Sequence, residues 1–537
     1  MHSQNPHSRD PSKTHAYLVG GGIASLSAAA LLIRDAQVPP TQIHLYEESA
    51  VLGGAMDGSG GVGEGYLIRG GRMLNSSYRC LYDLLQSIPT LDRPSQTVYQ
   101  EIMDFTNDNQ TKAAARLVDN MPIKLDVSRM GFDAKDRINL LGLWSASDRY
   151  LGRKAIEDVF HPHFFTTNFW YMWATTFAFQ PWHSAIELKR YLHRFIHEFP
   201  QISTLAGVDR TVYNQFESII LPISTWLEAQ GVDFVRGTVV RDLDFACTSG
   251  QVTATKLHLS RDGAPEILEL APTDLVFVTN GSMVSASSIG SMDTAPAVLE
   301  GPVVDPAWTL WITIATKLGP TFAGNPSNFL GRVRESQWNS FTVTMTDPAL
   351  LKYITDFSGN EPGTGALCTF RDSAWLMSIV VPHQPHFRDQ PPAVSVFWGY
   401  ALYVDRPGDL VHKPMRFCTG AEILDELLHH LGRSAQSASL RAGVNVIPAA
   451  LPYITSQFLT RAPTDRPGVI PPGSTNFAWL GQYTEIPEDT VFTVEYSVRS
   501  AMIAVFNLMS LSKTPPPIYK GDHDIEVIYR ALEASLT

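Results

Sequence analysis

Residues 67–75 read L-I-R-G-G-R-M-L-N, with Arg69 and Arg72 bracketing Gly70 and Gly71 and an apolar Met73 following. Glycines let backbone approach a ligand closely, and paired guanidiniums favour an anion, so this loop is expected to press on a negatively charged group. It brings no acid or base of its own. A second glycine cluster, Gly20-x-Gly22-x-x-Ser25, follows the apolar stretch A-Y-L-V and opens an Ala/Leu-rich run. Gly20 allows a tight turn, Gly22 lets backbone reach a pyrophosphate, and Ser25 is small enough for helix–strand packing. Free N–H groups at the helix start, at Ile23 and Ala24, would meet the phosphates. Glu47 and Glu48 end the next apolar stretch, where an acid can accept hydrogen bonds from a ribose.

Other candidates lie in the middle of the chain. In S-A-I-E-L-K-R-Y-L-H-R-F-I-H-E-F, apolar side chains at Leu188, Tyr191, Leu192, Phe195, Ile196 and Phe199 follow helical spacing. Lys189, Arg190, His193, Arg194, His197 and Glu198 are expected on the opposite, polar face. Tyr191 therefore points its hydroxyl inward. Such a group is either a structural tyrosine bonded to backbone or a proton donor beside an apolar substrate. Tyr213, Asn214 and Gln215 precede another helical run, and His383, Gln384, His386 and Arg388 share a proline-rich loop. Together these groups could hold a carboxylate. No H-E-x-x-H spacing occurs, and a metal is not expected.

The elements that must position these residues can be read around them. Residues 16–47 form a strand–helix–strand unit. Residues 231–245 read as strand–turn–strand, including Val240, and residues 274–282 as a buried strand ending at Ser282. Residues 476–505 read as strand, glycine, loop and helix, with Phe492 and Thr493 just before the helix. A Gly-Gly soon after the ribose acid, and nucleotide-domain pieces that return late, favour FAD over NAD. The expected fold is α/β: an FAD-binding, Rossmann-like flavoprotein with an inserted helical and β substrate region and a short helical C-terminal tail. The FAD-binding domain is drawn as residues 15–130, 225–300 and 470–512, the substrate region as 131–224 and 301–469, and the tail as 513–537. Val240, Ser282, Phe492 and Thr493 are assigned to the cofactor. The ring-dense stretch 164–183 reads as core or as an apolar ligand tunnel.

Composition narrows the class. The chain has 537 residues, enough for two or three domains, and a formal net charge of -12 with no dominating basic patch, so nucleic acid is not an expected partner. Its four cysteines form no CxxC unit, which argues against zinc ribbons and a disulfide framework. The N-terminus is polar, so no secretion signal is expected; residues 1–14 are expected to be disordered, and no apolar run is long enough to span a bilayer. A cytoplasmic protein is expected.

Several stretches together resemble the oleate hydratase family, also known as myosin-cross-reactive antigens. They include Y-L-V-G-G-G-I-A-S-L, G-G-A-M-D-G, R-G-G-R, N-F-W-Y-M-W-A-T-T-F-A-F-Q-P-W-H-S-A, Y-N-Q-F-E-S, H-Q-P-H-F and E-I-P-E-D-T-V-F-T-V-E-Y-S-V-R, spread from about residue 16 to past 500. The resemblance implies an FAD-dependent hydro-lyase that adds water to the cis double bond of long-chain unsaturated fatty acids such as oleate. The product would be a 10-hydroxy fatty acid, with no net redox change. It implies that Tyr191 protonates the alkene, that Gln215 and His386 hold the carboxylate, and that Arg69, Gly70, Gly71 and Arg72 lie beside the flavin ring. Its expected partners are the fatty acid and water, with transient contact to a membrane surface to collect substrate, in a monomer or weak dimer.

The chain departs from the family pattern at Met73, where a glutamate thought to activate water usually stands. It departs again at Val380 and Pro382, in place of a Thr and an Asn ahead of the His-bearing loop. Catalysis is expected to persist, with water held by backbone carbonyls, the flavin or another side chain; Glu64 is the nearest acid by sequence. Two other readings stay open: a flavin-dependent lipid oxidoreductase or isomerase, and a catalytically impaired FAD- and fatty-acid-binding homologue.

Overall fold

The computed structural model describes residues 9–71, 73–303, 305–365, 367–434 and 437–536. Five parallel strands build the first sheet: β1 (Ala16–Val19), β2 (Ile43–Glu47), β3 (Asp233–Arg236), β4 (Leu275–Thr279) and β5 (Phe477–Leu480). Their spatial order is β5-β4-β1-β2-β3, so distant segments of the chain meet around β1. In β4 only Thr279 escapes full burial, as expected where both faces of a parallel sheet are covered.

Helix α1 (Ile23–Arg34) follows β1 directly. Its run of Ser and Ala offers little side-chain bulk, and ten of its twelve residues are buried. It packs along the late helix α4 (Val494–Leu508). Ser25 is fully buried and its hydroxyl lies 3.1 Å from that of Thr279 on β4, so it ties α1 to the sheet by a hydrogen bond as well as by its small size.

A second sheet has seven strands, in the order Ser288–Ile289, Val444–Leu451, Trp338–Met345, Ser395–Ala401, Met377–Val380, Cys368–Phe370 and Leu117–Val118. Two boundaries drawn from sequence are corrected here. Leu117–Val118 and Ser288–Ile289 had been placed in the nucleotide-binding segments, yet both join this sheet through partners more than a hundred residues away. Every residue of Trp338–Met345 is buried. On one face of that strand, Ser340, Thr342 and Thr344 recur with the period of two that strands impose. Thr344 Oγ1 accepts from the Tyr66 N–H (2.9 Å), Thr342 Oγ1 accepts from the Ile68 N–H (3.0 Å) and Ser340 donates to the Arg69 carbonyl (3.0 Å). This hydroxyl ladder fixes the chain entering the R-G-G-R loop against the sheet.

Helix α2 (Asn168–Phe177) lies in the ring-dense stretch, and most of that stretch is core: Phe169, Trp170, Trp173 and Phe179 are almost fully buried. Helix α3 (Ala185–Arg194) is shorter than its periodicity suggests and gives way to a 3-10 segment, Ile196–Gln201. Its second face is not solvated. Arg190 and Arg194 are buried, as is Glu187, because they join a network of ion pairs. Glu187 meets Arg461 (3.0 Å) and Arg466 (3.1 Å), and Arg190 meets Glu485 (2.7 Å). The N-terminal expectation is also corrected from Arg9 onward. Arg9 donates to the carbonyls of Thr475 (2.6 Å) and Leu508 (3.0 Å), which pins a 3-10 turn at Pro11–Lys13. Residues 1–8 lie outside the described residues. A final helix, α5 (Ile525–Leu536), packs on the Ile196–Gln201 segment. Among the described residues no helix is long and apolar enough to cross a membrane.

Candidate active site

Two adjoining cavities share lining residues, the first on the parallel sheet and the second on the seven-stranded sheet. The first, about 680 Å³, lies at the carboxyl ends of β1, β2 and β4. The turn after β1 is built as its glycines predict. Gly20 takes φ +93°, a conformation that side chains rarely adopt, and its N–H donates to the Tyr46 carbonyl (2.9 Å). A Cβ on Gly21 would stand 2.6 Å from Leu52, whereas one on Gly22 would meet no protein atom within 4 Å. Gly22 therefore faces open space at the start of α1, the approach a pyrophosphate needs. The Gly53-Gly54 pair closes the other side: the Gly53 N–H donates to the Gly21 carbonyl (2.9 Å).

Ile23, Ala24, Glu47, Glu48, Arg69, Val240, Ser282, Phe492 and Thr493 all line this cavity. Glu47 also braces the turn itself, accepting from the Gly21 N–H (2.5 Å) and the Ser49 N–H (2.8 Å). Burial, with the Asp305 and Glu47 carboxylates adding to it, holds the Glu48 carboxyl above the usual range. Gln482, which stands after Gly481 where flavoproteins often carry an acid, has a different task. Its amide donates to the Thr493 carbonyl and the Ser497 hydroxyl (both 2.8 Å) and accepts from the Phe492 N–H (2.5 Å). It thereby holds Phe492 at φ +70°, at the entrance to α4. These groups fit a dinucleotide: a glycine turn, a free helix start and acids at the strand ends.

The second cavity, about 110 Å³, shares Met56, Asp57 and Phe492 with the first. Gly70, Gly71 and Met73 form one part of its wall, beside Trp398; a Cβ on Gly71 would come within 3.3 Å of that indole. Arg72 lies outside the described residues. Arg69 turns toward the first cavity, donating to Asp57 (2.7 Å) and to the Gly54 carbonyl (3.1 Å). Asp57 is the only carboxylate among the described residues lining the second cavity. The expectation for Glu64 is corrected: it is exposed at the tip of the hairpin formed by Ser59–Gly61 and Gly65–Leu67 and lines neither cavity.

A polar group gathers in the same cavity. Asn214 and Gln215 stand at the start of a π-helical turn, Phe216–Ile220, a geometry frequent at functional sites. Asn214 bonds the His386 carbonyl through its backbone N–H (2.9 Å) and its amide (3.1 Å), which joins the two sequence segments. Burial pushes the His386 imidazole down to about 3, with the Arg210 guanidinium adding to the shift, so the ring is neutral. Tyr213, His383, Gln384 and Arg388 do not line the cavity. Gln384 braces backbone at Pro382 and Val396, and Arg388 pairs with Asp92 and covers the Tyr213 ring. Val380 and Pro382 do line the cavity, so the two departures fall on its wall.

Sequence reasoning missed Arg210. It lines the second cavity, donates to Thr111 Oγ1 (3.1 Å) and the Gly365 carbonyl (3.2 Å), and burial lowers it to about 10. No carboxylate pairs with it among the described residues. The available signal was a basic residue just ahead of the Asn-Gln pair.

Tyr191 lies behind the cavity wall. It is 1% exposed, is ringed by Phe177, Phe179, Phe195 and Phe458, and donates its hydroxyl to the Val491 carbonyl (2.6 Å), one residue before Phe492. The tyrosine that lines the second cavity is Tyr400, whose hydroxyl donates to the Thr175 carbonyl.

The parallel sheet, glycine turn and free helix start define a Rossmann-like α/β fold with a second, amphiphilic cavity against the first. Residues 13–506 match the MCRA family, and the chain belongs to it. It is 36% identical over 526 residues to an oleate hydratase of Streptococcus pyogenes serotype M49 (strain NZ131), covering 96% of this chain and 88% of that protein. It is 35% identical over 568 residues to a linoleate hydratase of Lactiplantibacillus plantarum, covering 97% and 98%. Among solved structures, an oxidoreductase from Methanosarcina mazei aligns over 93% of this chain and 100% of that one, with 13% identity and a TM-score of 0.47.

Proposed function

We propose that this protein is an FAD-dependent fatty-acid hydratase, adding water to the cis double bond of a long-chain unsaturated fatty acid such as oleate to give a 10-hydroxy acid. The observation that carries the reading is the second cavity. It abuts the dinucleotide cavity and combines apolar walls with a cluster of Arg210, Asn214, Gln215 and His386 that includes a guanidinium without an acidic partner among the described residues.

FAD is the dinucleotide in this reading: Gly20, Gly22 and the start of α1 would hold its pyrophosphate, Glu47 and Glu48 its ribose, and Arg69, Gly70 and Gly71 would lie beside its ring. When bound, it would help stabilise the positive charge that develops at the alkene and would exchange no net electrons. Arg210 attracts the fatty-acid carboxylate, Gln215 donates from its amide, and neutral His386 donates one ring N–H. Val380 and Pro382 offer this end no side-chain hydrogen bond, and the Arg210 guanidinium supplies its positive charge.

A proton is added to one alkene carbon and a hydroxyl to the other. Tyr191 is the donor in this reading; its O–H leaves the Val491 carbonyl to reach the chain, so the Val491–Phe492 segment must shift when substrate enters. Tyr400 already faces the cavity and is the competing donor. Asp57, paired with Arg69, orients the attacking water, and the proton released from that water restores the phenol. Met73 contributes apolar wall. General acid or base assistance is worth ~10²–10⁴-fold, so the missing glutamate slows the reaction without removing the remaining groups that drive it.

The test is the product formed from oleate and FAD in H₂¹⁸O. Hydration predicts an ¹⁸O-labelled hydroxy acid one water heavier than oleate. A desaturated or isomerised product would assign a redox or isomerase reaction, and bound oleate without turnover would assign an inactive binding protein.

A further inference from the structure

Asp133, Asp136, His161 and His163 converge at a point away from both cavities. Asp133 caps the helix Ala134–Ser145, and Asp136 occupies its first turn; each accepts a hydrogen bond from the other's backbone N–H. His161 and His163 come from the turn that leads into α2. One ligand-type atom from each residue lies within 4.8 Å of all the others. His163 Nδ1 is 2.7 Å from Asp136 Oδ2, and His161 Nε2 is 3.2 Å from Asp133 Oδ2.

Reciprocal capping and His–Asp pairing would explain part of this arrangement, but two features remain. Asp136 is fully buried, yet no Lys or Arg pairs with it or with Asp133 among the described residues. In addition, Asp136 Oδ1 and His161 Nδ1 are sealed from solvent without a hydrogen-bond partner, and they face each other 3.5 Å apart. Unsatisfied buried atoms are costly. A divalent ion between them would satisfy both and cancel both charges.

We propose that Asp133, Asp136, His161 and His163 form a structural site for a divalent transition-metal ion, Zn²⁺ foremost. Two imidazoles and two carboxylates make a mixed nitrogen–oxygen set of the kind Zn²⁺ takes in four-coordinate sites, and they disfavour Mg²⁺ and Ca²⁺, which prefer all-oxygen shells. The side chains of Asp133 and His163 are 43% and 46% exposed, which gives the ion a path from solvent. The ion staples the helix Ala134–Ser145 to the base of α2, whose far end supplies Thr175 and Thr176 to the second cavity. Neither D-x-x-D nor H-x-H is diagnostic alone, and the pairs are separated in sequence, so the site was not legible before folding.

The test uses the full chain, stripped with a chelator and titrated with Zn²⁺ in a calorimeter, beside His163→Ala and a control, His258→Ala. The control residue belongs to a separate Asp242–Asp244–His258 cluster. One Zn²⁺ per chain is expected, bound at least ~10-fold more weakly by His163→Ala and equally well by His258→Ala. Co²⁺ should give visible ligand-field absorption that His163→Ala loses while its circular dichroism is unchanged. No saturable binding, equal affinity in wild type and His163→Ala, or saturation by Mg²⁺ or Ca²⁺ alone would overturn the site.

Discussion

The two cavities share a wall but are built on different principles. The first is made mostly of backbone: turns, glycine gaps and a helix start, each specified by neighbouring residues. The second is made of side chains from segments far apart in sequence: Asp57, Met73, Arg210, Asn214, His386 and Trp398. Local specification survives sequence drift and can be read directly. Convergent side chains are set by tertiary packing, and one substitution can alter the wall without disturbing the fold.

Substitutions that act on one cavity alone sharpen this contrast. The largest expected effect is at the seam. Asp57→Asn and Tyr191→Phe should each lower oleate turnover by ~10²–10⁴-fold, with flavin content unchanged, measured by single-turnover product formation. Full loss in Tyr400→Phe with normal Tyr191→Phe would transfer the donor role to Tyr400. Next is Gly22→Val. A Cβ there meets no protein atom within 4 Å but points into the space a pyrophosphate requires. The apoprotein should therefore melt like wild type, while flavin absorbance in the purified protein falls to a few per cent or less.

A smaller, pH-dependent effect belongs to the buried ion pairs beneath α3. Burial alone would raise Glu187, but Arg466, Arg461 and Arg190 hold it below the usual carboxylate range. A depressed folded pKa contributes stability above the unfolded value, about 4.3, and that contribution is lost as pH falls through the folded value. Thermal unfolding should thus show wild type losing stability below about pH 4.3 more steeply than Glu187→Gln. At pH 7 that variant should be destabilised by about 3–5 kcal/mol, because it strands buried guanidiniums.

The legibility of the molecule follows the same division. Gly20, Gly22 and Ser25 were readable because a strand, a turn and a helix within one stretch set their roles. Gln215 and His386 were singled out through a family resemblance; both line the second cavity, and Asn214 joins their segments. Arg210 was hidden by its neighbour. It follows Asp209, whose carboxylate accepts from the Tyr82 hydroxyl (2.6 Å), while Arg210 lines the cavity. Glu64 misled for the converse reason, since nearness along the chain placed it on an exposed hairpin tip while Asp57, farther back, reached the seam. The polar face of α3 failed because charges paired across the core are indistinguishable, residue by residue, from solvated ones.

The central claim is that the second cavity receives a fatty acid by its carboxylate. Binding of oleate and of oleyl alcohol, which has the same chain without the acid, to wild type and Arg210→Met tests it directly. Hydrogen bonds to a charged group are worth about 1.5–3 kcal/mol, or roughly 10–100-fold in affinity. The prediction is that oleate binding weakens by that factor in Arg210→Met while oleyl alcohol binding does not change. Equal losses for both ligands, or undiminished oleate binding, would contradict it.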